Sequence, residues 1–162
     1  MPEPLRVLLV EDSEDDALLE TESLRAGGFD PQVLRVETAE AYHAALAEEP
    51  WDIIIADYVL PAFSGLAALH LLRLSEKDIP FIMVSGKAGE ETAVRAMRAG
   101  AQDYVLKSNL ARLATVVQRE LREVGERRER RQAEAELRLL SAALEAVANG
   151  VVITDRRGVI IW

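Results

Sequence analysis

Ile53-Ile54-Ile55-Ala56-Asp57 is the stretch that decides the fold. Four consecutive apolar residues, three of them β-branched, have the length and chemistry of a strand buried on both faces of a parallel sheet. The run stops at a carboxylate. Three other runs behave alike: Leu5 to Val10 stops at Glu11-Asp12, Phe81 to Val84 at Ser85, and Tyr104-Val105-Leu106 at Lys107. Ligands of open α/β sheets bind outside the carboxyl ends of the strands. Such a fold gathers three carboxylates, a hydroxyl and an ammonium at one rim. Three carboxylates repel one another unless a cation lies among them, so the pattern points to a divalent metal site beside a reactive Asp57.

Working outward, strands and helices alternate. Helices are expected at about 14–26, with Ala17, Leu18 and Leu24 inward and Gly27-Gly28 as the stop, and from Thr38 to about 48. Others are expected at about 66–74 and 90–99, the last ended by Gly100. A second strand is expected at about 32–36. Five βα repeats with short links predict a five-stranded, doubly wound parallel sheet with helices on both faces. The fifth helical pattern begins at Leu110 and continues to about Ala148 without proline. Leu113, Val117, Leu121 and Val124 cover its first face; Arg119 to Glu136 holds six Arg and six Glu; Leu137, Leu140, Leu144 and Val147 then recur at coiled-coil spacing. That stripe predicts a parallel homodimer helix, against the alternative of a solvated single helix. The end, Val151 to Trp162 around Asp155-Arg156-Arg157-Gly158, has a hairpin signature and is expected to be the start of a second, truncated domain.

Composition limits the classes of function. The 162 residues allow one ordinary domain and an appendage, and 49% hydrophobic residues suffice for a core. Without cysteine there is neither a disulfide framework nor a thiolate metal site, which is compatible with a reducing compartment. No run approaches a membrane span, and no signal peptide precedes the first strand, so a cytoplasmic location without membrane contact is expected. Residues 1–60 carry 15 acidic and 3 basic side chains within a net charge of −9, which argues against nucleic acid as a partner.

An Asp carboxylate can attack phosphorus and become an aspartyl phosphate. That transfer needs a metal, a second cation and a donor to the equatorial oxygens. Glu11, Asp12 and Asp57 suit Mg²⁺, Lys107 supplies a point charge, Ser85 supplies a hydroxyl, and Gly86 leaves room for the donor. Each has a blander reading: Glu11-Asp12-Ser13 as a helix cap, Ser85-Gly86 as a turn, Lys107 as a solvated strand end. Asp57 resists one, because a charge ending a buried strand is costly unless paired. His43 and His70 fall inside helices away from the rim.

Residues 4 to about 122 resemble the receiver domain of two-component response regulators. The resemblance is carried by Val7-Leu8-Leu9-Val10-Glu11-Asp12, Ile54-Ile55-Ala56-Asp57, Pro61-Ala62-Phe63-Ser64-Gly65, Val84-Ser85-Gly86 and Gly100 to Lys107. It implies a flavodoxin-like receiver fold and phosphorylation of Asp57 by a histidine kinase or histidine phosphotransfer domain. It implies Mg²⁺ held by Asp12, Asp57 and the backbone carbonyl of Val59, with Glu11 acting mostly through water. It also implies a switch in which Ser85 moves toward the phosphoryl group and Tyr104 turns inward. Such domains assist their own phosphorylation and dephosphorylation but are counted as switches rather than enzymes. The family usually has proline after the lysine, often in a cis peptide; Ser108 stands here. A cis bond to a non-proline residue costs ~3–4 kcal/mol, so a trans bond and a differently shaped loop are expected. The segment 139–162 resembles the opening of a PAS sensor domain. The implied organisation is a receiver at 1–122, a helical linker at 123–148 and a PAS start at 149–162, signalling to PAS and output domains.

Two other chemistries compete. A Mg²⁺-dependent phosphohydrolase with an Asp nucleophile usually has a second acid two residues later, where Val59 stands. A flavodoxin-like cofactor carrier needs a glycine-rich phosphate cradle, which the acidic loop after the first strand lacks.

Overall fold

The computed structural model describes residues 1–48, 50–86, 89–146 and 156–157. Its elements run β1 (Glu3–Val10), α1 (Glu14–Ala26), β2 (Phe29–Val36), α2 (Ala39–Glu48), β3 (Ile53–Asp57), α3 (Gly65–Leu74), β4 (Phe81–Ser85), α4 (Glu90–Ala99), β5 (Asp103–Leu106), a 3₁₀ segment (Lys107–Arg112) and α5 (Leu113–Glu145). The five strands form one sheet in the order β2-β1-β3-β4-β5, with every pairing parallel. The expected doubly wound, flavodoxin-like fold with a long C-terminal helix is what is found. Met1–Val124 forms one compact unit and Gly125–Trp162 a second.

Alternation along each strand divides the core into two layers. Leu8, Val10, Ile54, Ala56, Phe81 and Met83 pack with Tyr42, Leu46, Leu69 and Leu72 on one face. Val7, Leu9, Ile53, Ile55, Ile82 and Val84 pack with Leu24, Leu113 and Val117 on the other. Every residue of β3 and β4 is buried, which is why these strands read as continuous apolar runs rather than as alternation. Each fully buried Leu, Ile or Phe contributes about 1.5–3 kcal/mol relative to exposure.

Three local differences from the expected pattern have clear causes. First, β2 begins at Phe29, upstream of Pro31. Pro31 pairs with Leu5 at the edge of the sheet, where the missing N–H costs no ladder bond on the outer side. Second, α1 buries Ala17, Glu20 and Leu24, whereas Leu18 is 58% exposed. Residues 17, 20 and 24 share one helical face, and Leu18 lies a hundred degrees off it. Third, the chain after Lys107 forms a 3₁₀ turn before α5 begins at Leu113, so the helical pattern starting at Leu110 joins two elements. No described peptide bond is cis, which fits Ser108 in place of proline.

The expected caps are present. Ser13 Oγ accepts from Asp16 N–H at 3.2 Å, and Thr38 Oγ1 accepts from Ala41 N–H at 3.2 Å. Gly100 closes α4 in the left-handed region at φ 102°. Leu137 and Leu140 of the predicted stripe are exposed within the chain and Leu144 is half-buried. Val147 lies outside the described residues, as does most of the segment read as a hairpin and PAS start.

Candidate phosphoacceptor site

The strand order reverses at β1, which has β2 on one side and β3 on the other. A crevice opens at such a point beyond the carboxyl ends of the strands. Glu11 and Asp12 follow β1 there and Asp57 ends β3. Carboxylate oxygens of Glu11, Asp12 and Asp57 all lie within 4.8 Å of one another. Glu11 is fully buried, Asp57 nearly so, and Asp12 exposed.

Lys107 enters from the end of β5. Its Nζ donates to Asp57 Oδ2 at 2.8 Å, to Glu11 Oε2 at 2.7 Å and to Asp16 Oδ2 at 2.6 Å. The trans peptide and the 3₁₀ turn therefore still deliver the ammonium to the crevice. Ser85 is buried at the end of β4, where its register partner is Leu106. Tyr104 lies on β5 opposite Met83; it is half-buried, packs against the core, and borders an open groove of about 320 Å³ together with Glu90 and Arg112.

Backbone groups complete the site. Asp57 Oδ1 accepts from Val59 N–H at 3.2 Å, and Glu11 Oε1 accepts from Ser13 N–H at 2.9 Å. Both Glu11 oxygens are thus engaged within the protein. Behind Asp57, Gly65 opens α3 so closely that an added Cβ would stand 2.5 Å from Asp57 O and 2.4 Å from Met83 Sδ. Glycine is needed there for close approach rather than for its dihedral angles.

Burial and charge oppose each other in this crevice. Burial pushes the Glu11 carboxyl above its ordinary value, although the hydrogen bonds from Lys107 and Ser13 pull it down. Burial also disfavours the Lys107 ammonium, yet its bonds to Asp16, Asp57 and Glu11 together outweigh that and hold it charged. Four carboxylates around one ammonium leave negative charge to be balanced, and hard oxygen donors favour a hard divalent cation.

Two acids here are not visible as strand-end residues. Asp16, in the first turn of α1, completes the grip on Lys107. Glu20, one turn further on, is 1% exposed, and neither of its oxygens has a hydrogen-bond partner. Burial first, and then the nearby Glu11 charge, push its carboxyl up to about 8. Their i,i+4 spacing back from buried Leu24 was the available signal. His43 and His70 are exposed on α2 and α3, as helix residues away from the rim.

Residues 7–118 match the family described as the response regulator receiver domain. The chain belongs to the response regulator receiver family. The receiver is 39% identical over 107 residues to the phosphate regulon transcriptional regulatory protein PhoB of Escherichia coli (strain K12), covering 63% of this chain and 44% of PhoB. The chain thus matches less than half the length of that relative. Among solved structures, the signal receiver domain of a LuxO repressor protein from Vibrio parahaemolyticus is 28% identical with TM-score 0.68, covering 76% of this chain and 95% of that one. The receiver domain of the sensor histidine kinase PA1611 from Pseudomonas aeruginosa PAO1 is 26% identical with TM-score 0.63, covering 73% and 98%. That domain carries a magnesium ion coordinated in its active-site cleft. Receivers of this family are signalling modules of two-component systems rather than enzymes, and they bind Mg²⁺ in their acidic site.

Proposed function

We propose that this receiver accepts a phosphoryl group on Asp57 from a histidine kinase or a histidine phosphotransfer domain. The observation that carries the reading is the junction of Asp57 Oδ2 with Lys107 Nζ at 2.8 Å inside a crevice where Glu11 and Asp12 supply the remaining charge. An Asp57 oxygen forms the new O–P bond, the P–N bond to the donor histidine breaks, and the released imidazole nitrogen takes the electron pair and then a proton. Lys107 balances negative charge on a phosphoryl oxygen, and the Ser85 hydroxyl donates to another. Asp57 and Asp12, with the Val59 backbone carbonyl, would hold Mg²⁺, and Glu11 would act through water. When bound, Mg²⁺ supplies charge neutralisation for the transfer.

The same reading extends beyond the crevice. Ser85 and Tyr104 are the switch pair, coupling the phosphoryl group to the surface of β5. The receiver occupies 1–122, and residues 123–148 form a helical linker that dimerises in parallel through Leu137, Leu140, Leu144 and Val147. A PAS domain begins at 149, and the protein works in the cytoplasm. The Arg and Glu residues between Arg119 and Glu136 balance in number, so a second copy is not repelled. The phosphohydrolase alternative gains no support, since Val59 supplies only backbone to the site. Incubation with acetyl phosphate and Mg²⁺ should give an acid-stable, base-labile adduct of one phosphoryl group, absent from Asp57→Asn. An adduct that persists in that variant would remove the assignment.

A further inference from the structure

We propose that Asp16 is a positioning residue for phosphoryl transfer to Asp57, acting through Lys107; this rests on the phosphoacceptor reading above. A lysine ammonium has three N–H donors. Here all three meet carboxylates, and the shortest bond, 2.6 Å, goes to Asp16. Glu11 and Asp57 belong to the rim itself. Asp16 comes from α1 and approaches the ammonium from a separate element.

The ordinary reading of an acid at this place is a helix cap. Ser13 is the N-cap and Asp16 stands three residues on, the position from which an acidic side chain usually reaches back to the cap's own N–H. That N–H is taken here: Ser13 donates to Glu11 Oε1 at 2.9 Å. The Asp16 carboxylate is thereby free of its capping duty and turns to Lys107. The cap still fixes the Asp16 backbone, whose N–H donates to Ser13 Oγ. One serine thus sets Glu11 by its backbone and Asp16 by its hydroxyl.

The role follows from what phosphorylation changes. When an Asp57 oxygen bonds to phosphorus, the carboxylate becomes an acyl phosphate and loses much of its attraction for the ammonium. The third donor of Lys107 passes from Asp57 Oδ2 to a phosphoryl oxygen. Glu11 and Asp16 are unaltered by that step and hold the ammonium from two directions while it happens. Holding a long flexible stem otherwise costs rotamer freedom at the moment of reaction.

The test is a double-mutant cycle on the whole chain: the parent, Asp16→Asn, Lys107→Ala and the double variant. The maximal rate of labelling by acetyl phosphate at saturating Mg²⁺ is followed by intact mass, with Mg²⁺ affinity measured in parallel. Asp16→Asn keeps the size but loses the charge, and should slow labelling about fivefold to tenfold with Mg²⁺ affinity within about twofold of the parent. It should cause no further loss in the Lys107→Ala background, and Asp16→Glu should recover part of the rate. An unaltered Asp16→Asn rate, losses that multiply in the double variant, or a loss that tracks Mg²⁺ affinity would each overturn the proposal while the parent still labels. A parent chain that does not label overturns the phosphoacceptor reading and this proposal with it.

Discussion

Glu20 gives the sharpest test of the electrostatics beneath the site. It lies on the inner face of α1, 1% exposed, with no hydrogen-bond partner for either oxygen. The charges that act on it are Glu11, Lys107, Asp57 and Asp16. Burial and the Glu11 charge raise its carboxyl from 4.5 to about 8. The folded protein therefore keeps a proton that the unfolded chain has lost throughout the interval between those values. Stability from this group is fully present below pH 4.5 and is lost as the pH rises toward 8. The slope is about 1.4 kcal/mol per pH unit, and the whole interval amounts to on the order of 5 kcal/mol. Glu20→Gln removes the titration while nearly keeping the shape. Its buried amide has its own unsatisfied groups, costing about 1–3 kcal/mol, but that cost does not vary with pH. Urea unfolding of parent and variant at pH 5, 6, 7 and 8, with chelator present, should give a variant slope flatter by close to one proton. Equal slopes would refute the argument that Glu20 is held neutral.

Asp12→Asn should weaken Mg²⁺ binding by about tenfold or more, and with it the Mg²⁺-dependent rise in melting temperature; unchanged affinity by titration would exclude Asp12 as a ligand. Lys107→Ala leaves buried Glu11 without its cation and should destabilise the fold at neutral pH by on the order of 3 kcal/mol, read as a shift in urea midpoint. Ser85→Ala should still become labelled by acetyl phosphate yet blunt the change in Tyr104 fluorescence or NMR shift that follows at equal labelling, and normal switching in that variant would break the proposed coupling. The parent chain should be dimeric by light scattering at micromolar concentration and Leu140→Glu with Leu144→Glu monomeric; two monomers, or two dimers, would separate the helix from assembly.

The fold was legible because its central strands, β3 and β4, are buried on both faces. β3 and β4 have no exposed residue to interrupt their runs, so each ended visibly where the chain reached the rim. That same geometry made Asp57 and Ser85 stand out as the polar residues that end apolar runs, and Lys107 stands likewise after Tyr104-Val105-Leu106. Boundaries were less legible where context overrides local chemistry. Pro31 reads as a break but sits in an edge strand, and Leu110 reads as helix but lies in the 3₁₀ turn.

Asp16 and Glu20 were hidden for a different reason. On a strand, a polar residue that faces inward interrupts the pattern, whereas on an acidic helix it is camouflaged by its neighbours. Glu14, Asp15 and Asp16 look equivalent in the first turn of α1, where any acid suits the helix dipole. Only the helical phase separates them. Leu24 is buried on the sheet side, and counting back from it by turns brings Glu20 and Asp16 toward Lys107. Even that count leaves the partner of Asp16 open, because an acid three residues after a serine cap has a local donor within reach. The choice is made by Glu11, which comes from the end of a different element and takes the Ser13 N–H first. A contact between neighbours in sequence is thus settled by a residue that the sheet, rather than the helix, holds in place. This is why Asp16 joins the site only once β1 and α1 are seen together.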